Sequence, residues 1–499
     1  MIRTVLPIYV LLLCLLAGSV SSRAQSTTDS SFHRLFTVKE LREDMLVLKD
    51  SLYLIHPALS RYNSRQTLEA AFQTAYKKID RPMPLAQFYG IMAPVIGKVG
   101  DIHTTLEFPD EYFGWLTTGT KLLPLDIRII NGKIFIAGNN SSDSTVRTGA
   151  EIIKINDQPA QKILKTMESY FSGEGHNTTL KSRRVEQRLA FLYHIAFGFS
   201  KEFKIQYTGK SGVTITKTVT ALPFSDIKAN RLKNKTSYPG LGSLFVQPPF
   251  LVLSLLKEKQ TAVLTIKWFQ NDVLQGSGEQ FKPFIDSAFL EIKKAGVKNF
   301  IIDTRRNEGG ESENAGYLYS YLTDRPFGFL DYMETNKIIY ERDHTRGVNY
   351  SYIKETGKYR TRDSLALFIS PQFFGLNKQQ PQPNNFKGNV WVLADGITTS
   401  AATQFISLVK LNKRGLLIGE EVPGSLYGGS GRGYAYFLLP NTWIFVMISH
   451  YRVGMAGATN KTDQTLIIPD HKATITIEDL LNGKDTEMKL ALRLAEGEK

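Results

Sequence analysis

Two short apolar runs, Phe300-Ile301-Ile302-Asp303 and Val390-Trp391-Val392-Leu393-Ala394-Asp395, each leave a strand, pass through a glycine-containing turn and enter a helical pattern. Apolar runs of this kind suit buried strands, and alternation of strand and helix defines an α/β arrangement. Ala262-Val263-Leu264-Thr265-Ile266 supplies another such strand, with helices expected around 278 to 295 and from about Glu313 to Leu322. Residues 331–388 are polar, aromatic-rich and low in regular pattern, and they contain Gln379-Gln380-Pro381-Gln382-Pro383. On length alone they are expected to form an insertion placed to cover a site.

The N-terminal part has a different period. Thr37-x-x-Glu40 is a capping box, and Leu41, Met45, Leu48, Leu52 and Ile55 follow at helical spacing up to Pro57. Further helices are expected over Leu68–Ile79 and Leu85–Val99, so residues 30–120 form an N-terminal helical domain. From Leu122 the pattern alternates: Leu125-Asp126-Ile127-Arg128-Ile129, a turn at Asn131-Gly132, and a returning strand Lys133-Ile134-Phe135-Ile136-Ala137. The segment Thr148 to Asp157, with Ile152-Ile153-Lys154-Ile155-Asn156, resembles the turn–strand–turn element of PDZ domains. That resemblance assigns 121–225 as a PDZ-like β module and leaves 226–495 as the α/β core.

Of the 499 residues 42% are hydrophobic and 22% charged, which excludes disordered and fibrous classes. The net charge of +14 is spread out. Its densest points are short pairs such as Lys77-Lys78, Arg183-Arg184 and Arg305-Arg306, so it reads as a solvated basic face with no nucleic-acid partner. Weak contact with an anionic envelope surface remains an addition to any other role. The single cysteine, Cys14, excludes disulfides and cysteine catalysis. It lies in an apolar run after Arg3 that ends in Ser22-Arg23-Ala24, the pattern of a secretory signal over residues 1–24. A lipid anchor on Cys14 is disfavoured because Leu13 is not small. The expected location is therefore secreted or periplasmic.

Three segments carry chemistry. Gly100-Asp101-Ile102-His103-Thr104-Thr105 holds a histidine in a polar turn. Asp303-Thr304-Arg305-Arg306-Asn307-Glu308-Gly309-Gly310 leads from a strand through two glycines into a helix, where successive N–H groups can face an anion. Asp395-Gly396-Ile397-Thr398-Thr399-Ser400-Ala401-Ala402 leads through hydroxyls into another helix. Taken singly, each reads as well as a surface histidine, a plain turn or an N-cap. No metal-binding motif, P-loop or cofactor signature is present.

Together and in this order, the segments resemble the S41 serine peptidases, which include the C-terminal processing and tricorn-type proteases. Leu52 to Pro57, Ile418-Gly419-Glu420-Glu421 and the tail from Ile468-Pro469-Asp470 to Asp485 fall in the same family order. The resemblance implies a ClpP/crotonase-like α/β peptidase core within a multidomain chain, and an endopeptidase acting on peptides or unfolded proteins without a cofactor. It makes Ser400 the nucleophile, with the N–H groups of Ala401 and of Gly309 or Gly310 as oxyanion hole. Ser425 falls where the processing branch has its lysine, and Lys410 and Lys413 lie on or just past the far end of the helix after Ser400. The resemblance therefore points to the tricorn-like branch, with His103 as general base. Thr403 and Ile102 depart from family residues. The group orienting His103 is open among Asp101, Glu420 and Glu421, with Glu420 the leading choice. A peptide-binding protein that keeps the scaffold without turnover is the competing expectation.

Overall fold

The computed structural model describes residues 34–209, 212–234, 247–336, 349–350, 359–362, 364–368, 374–457, 465–473 and 475–497. Cys14 and the expected signal segment lie outside the described residues. Among those described, no helix is long and apolar enough to cross a membrane.

The α/β plan is realised as a six-stranded sheet in the order Leu251–Leu256, Thr261–Ile266, Asn299–Asp303, Asn389–Ala394, Leu416–Gly419, His471–Lys472. All neighbours are parallel except the first pair. Alternate residues of the central strands face opposite sides. Phe300, Ile302, Val390 and Val392 join the core beneath the helices Phe281–Ala295, Ser312–Ser320 and Ala401–Leu411. Ile301, Trp391 and Leu393 face the C-terminal helix Thr486–Ala495. Because Asp303 is in register with Leu393, the loops that follow these two strands leave the sheet side by side at its carboxyl edge. Open α/β sheets bind ligands at this edge.

The capping box forms as expected: the Glu40 N–H donates to Thr37 and the Thr37 N–H to Glu40. Helix α1 runs Val38–Ile55, α2 Arg65–Lys78 and α3 Leu85–Gly97. After α4 (Asp110–Thr118), the strands Leu125–Ile130 and Lys133–Asn139 form the expected hairpin, with both turn residues, Asn131 and Gly132, at positive φ. The strand Ile152–Ile155 ends in a turn in which Asn156 and Asp157 also take positive φ. It joins a four-stranded sheet flanked by α5 (Ala160–Glu168) and α6 (Thr179–Phe197).

The apolar cores do not follow chain order. The strands Tyr434–Leu438 and Phe445–Ser449 pack into the same core as α1 to α3, far from their sequence neighbours. Asp44 on α1 fixes this crossing. Its buried carboxylate accepts the N–H groups of Asn441 and Thr442 at 2.9 and 2.8 Å, and the Thr442 hydroxyl at 2.5 Å. The described parts of 331–388 also contain more order than their pattern suggests. Leu330–Asn336 pairs with both Leu365–Phe368 and Arg452–Met455, which joins part of this stretch to the body by backbone hydrogen bonds.

Two of the basic pairs are not wholly solvated. Arg183 is buried, and Arg305 donates to Asp303, Asp485 and Glu487 at 2.6 to 2.9 Å. This cluster ties the C-terminal helix to the first residues of the 303–310 loop. Burial pushes the Glu487 carboxyl up to about 7 from an ordinary value of 4.5, against the pull of Arg305. Between those two values the folded chain holds a proton that the unfolded chain has released, so stability falls as pH rises through this window and levels off above it. Glu487→Gln removes that dependence while Arg305 keeps Asp303 and Asp485. Urea unfolding at pH 5 and pH 8 is expected to show the variant gaining on wild type by up to a few kcal/mol at the higher pH.

Candidate active site

The two loops at the carboxyl edge are stitched together by their own polar groups. Thr304 donates its N–H and its hydroxyl to the Leu393 carbonyl at 2.9 and 2.8 Å. The Thr398 hydroxyl donates to the Thr304 carbonyl at 3.0 Å. The Thr399 N–H donates to the Asn307 carbonyl at 3.0 Å and the Thr399 hydroxyl to the Glu308 carbonyl at 3.2 Å. Asp395 accepts the Arg306 N–H at 3.0 Å while also holding Ile397 and Thr398.

These bonds distinguish the three hydroxyls of the Thr398-Thr399-Ser400 run. Both threonines spend theirs on the loop; Ser400 does not. Ser400 occupies the N-cap of the helix Ala401–Leu411, yet its side chain makes no capping bond, and its backbone sits at φ 55°, ψ −124°. A non-glycine residue in that region carries roughly 1–3 kcal/mol of strain and is held there by its surroundings. The hydroxyl stays uncommitted at the positive end of a helix, where an alkoxide and a developing oxyanion are favoured.

Gly309 lies directly against it. A β-carbon on Gly309, whose φ is 98°, would come 2.6 Å from the Ser400 β-carbon and 2.9 Å from the Ala401 nitrogen. The Gly309 N–H itself is engaged, donating to the Asn307 side-chain oxygen at 2.8 Å. Gly310 is arranged differently. Its neighbours make a parallel bridge to Phe269, using the Gly309 carbonyl and the Glu311 N–H, so the N–H of Gly310 points away from Phe269. Of the two glycines expected as donors, Gly310 thus has the available N–H and Gly309 supplies the space beside Ser400. Ala401, as the first helical residue, has its N–H free of any helical partner.

His103 arrives from the other core. The strand that follows it, Thr105–Glu107, pairs with Phe445–Ser449, which sets its ring beside the Gly428–Arg432 segment. A β-carbon at Gly431 would lie 3.4 Å from the ring, and the Tyr434 ring is 5.7 Å away between centroids. The next residue, Arg432, donates to Glu313 at 2.9 Å, bridging to the start of the helix that follows Gly310. Ser400 and His103 are not hydrogen-bonded to each other in this structure.

The carboxylate nearest His103 is Asp101. Its Oδ1 accepts the His103 backbone N–H at 2.8 Å and stands 3.7 Å from Nδ1, a buried nitrogen with no hydrogen-bond partner. Asp101 also accepts from Thr104 at 2.8 Å and from the Ser430 hydroxyl, and it faces His56 Nε2 at 2.9 Å. Because His56 Nδ1 accepts the Ala58 N–H at 3.1 Å, its proton lies on Nε2 and donates to Asp101. Burial opposes charge on Asp101, but the two imidazoles hold its carboxyl well below the usual range. Beside this group, His56, Arg61, Asp101, Glu174 and Ser430 border a cavity of about 10 Å³, close to the size of a single water.

Glu420 is placed elsewhere. It accepts the Gly396 N–H at 2.9 Å and lies within 3.4 Å of Arg128 and 3.3 Å of Arg183, with no bond to His103. Burial works against its charge, and the two arginines keep its carboxyl low. Its part is to anchor the turn before Ser400. Glu421 accepts from Asn177 at 2.6 Å. Lys410 is held by both oxygens of Asp470 at 2.9 Å, at the far end of the helix from Ser400. The Thr403 side chain packs on Gly424, where a β-carbon would come 2.2 Å from its methyl. His56 and Ser430, which both bond Asp101, lie outside the residues expected at the site. The Leu52–Pro57 motif was the only signal for His56.

The family model for peptidase family S41 matches residues 260–470. No curated protein matches the chain. Among solved structures, mature CPAF is similar at 14% identity with a TM-score of 0.60, covering 92% of this chain and 97% of that one. Mature CPAF complexed with lactacystin is similar at 15% identity and a TM-score of 0.59, covering 92% and 98%. The photosystem II D1 C-terminal processing protease matches at 15% identity and a TM-score of 0.40, covering 92% and 97%. At these identities the likeness to CPAF is one of fold.

Gly309→Ala tests the close approach. The added methyl has no space beside Ser400 and φ 98° strains any L side chain, so the variant is expected to fold with a lowered melting temperature and to lose about 100-fold or more in turnover of any substrate found. Circular dichroism melts run beside the assay check both halves of that expectation.

Proposed function

We propose, from the match of residues 260–470 to the model of peptidase family S41, that this chain is a serine peptidase acting through Ser400 with His103 as general base. The observation that carries the reading is the uncommitted Ser400 hydroxyl, held in a strained N-cap beside Gly309 while both neighbouring threonine hydroxyls are bonded.

In this reading Ser400 Oγ attacks the scissile carbonyl and its proton passes to His103. The oxyanion accepts the N–H groups of Ala401 and Gly310. His103 then returns the proton to the leaving amine, and the acyl-enzyme is hydrolysed by a water that His103 deprotonates. Asp101 takes the orienting role: it is ionised, buried and the closest carboxylate to Nδ1, and it stabilises the imidazolium that forms. Apo catalytic hydrogen bonds are often long, and the 3.7 Å separation is expected to close when substrate is bound. Substrates are peptides or unfolded chains, cleaved internally, and the site of action is outside the cytoplasm.

A silent peptide-binding protein is the second reading, favoured by the missing bond between Ser400 and His103. Intact-mass analysis and peptide mapping after fluorophosphonate treatment separate the two. A stoichiometric adduct on Ser400, lost in His103→Ala and slowed about 100-fold or more in Asp101→Asn, supports the peptidase. No adduct in the wild-type protein supports the binding protein. Because Asp101 stays ionised well below neutrality, Asp101 is expected to contribute no inflection to a pH profile of the labelling rate measured between pH 5 and 8.

A further inference from the structure

Helix α6 carries adjacent arginines that diverge by about 100° around its axis and meet different partners. Arg183 holds Glu186 and lies near Glu420. Arg184 forms a fork on Glu308, with its two terminal nitrogens 3.1 and 2.6 Å from the two carboxylate oxygens, and also donates to Gln187 at 3.1 Å. Glu308 is the residue immediately before Gly309. Its carbonyl accepts the Thr399 hydroxyl, so it belongs to the stitching that sets Ser400 against the glycines.

This position poses an electrostatic problem for an oxyanion hole. The loop that offers the Gly310 N–H to a developing negative charge also carries a carboxylate two residues earlier. Left unpaired in a partly desolvated setting, that charge repels the oxyanion and not the neutral substrate. Arg188 and Arg306 also act on Glu308, but Arg188 is shared with Glu107 at 3.3 Å. The bidentate contact comes from Arg184, and planar fork geometry fixes direction as well as charge.

We propose that Arg184 is a positioning residue for the oxyanion hole, cancelling the charge of Glu308 beside it, on the premise that the peptidase reading holds. The arginine reaches Glu308 from a helix that lies outside the α/β core. Its effect is on the transition state, since the neutral substrate carries no charge for Glu308 to repel.

The test uses the full mature chain with a fluorogenic peptide and with fluorophosphonate labelling. Arg184→Gln is expected to lower kcat and the labelling rate by roughly 10- to 100-fold with KM within about threefold of wild type. Adding Glu308→Gln is expected to recover at least about tenfold of that loss, because the offending charge goes with it. An equal loss in the single and double variants, or no loss in Arg184→Gln, overturns the proposal. If the single variant does not fold but the double variant folds, Arg184 balances the Glu308 charge for folding and the proposal falls. If neither folds, Arg184 serves packing and the proposal falls. Failure of the wild type to label at Ser400 refutes instead the peptidase reading beneath it.

Discussion

The backbone of Ser400 is the constraint on which the rest of the site depends. A serine at φ 55°, ψ −124° does not stay there unaided, and the cost is met by the crossed bonding of two loops that leave neighbouring parallel strands. Thr304, Thr398, Thr399, Asn307 and Asp395 exchange hydrogen bonds across that junction, so the conformation of one loop specifies the other. Side chains one step further out hold the junction in turn. Glu420 anchors Gly396, Asn307 is tied to the Ile266 carbonyl, Arg184 grips Glu308, and Arg305 fastens the loop's first residues to the C-terminal helix.

The same arrangement explains the glycines. Gly309 is needed for space, since any β-carbon there strikes Ser400, whereas a β-carbon at Gly310 would come 2.3 Å from the Gln270 nitrogen. Their roles separate because a parallel bridge uses the groups of alternate residues, leaving the Gly310 N–H to face away from Phe269. Two adjacent, identical residues thus do different work.

Much of this was legible in the sequence where the physics is local. Capping at Thr37, the hairpin at Asn131-Gly132, the apolar strands and the helix after Ser400 all follow from short-range patterns, and the structure has them at or near their expected bounds. The remainder depends on long-range pairing that no local pattern encodes. His103 is placed by a strand that pairs with residues some 340 positions later, and Asp44 caps a turn nearly 400 positions away. Glu420 looked like a partner for His103 by residue type, but its register at the end of Leu416–Gly419 aims it at Gly396 and two arginines. Arg183 and Arg184 looked like a solvated doublet because adjacency in sequence hides the carboxylates that fold against them.

In the proposed mechanism Ser400, the Gly310 and Ala401 N–H groups and the His103–Asp101 pair act on one reacting carbon. A crystal structure of the fluorophosphonate adduct tests this most directly. The expected result is phosphorus on Ser400 Oγ with fluoride displaced, its phosphoryl oxygen about 3 Å from both N–H groups, and His103 drawn to within hydrogen-bond reach of Ser400 with Nδ1 closed onto Asp101. An adduct whose oxygen faces away from Gly310 and Ala401, with His103 left beside Gly431 and out of reach, would contradict it.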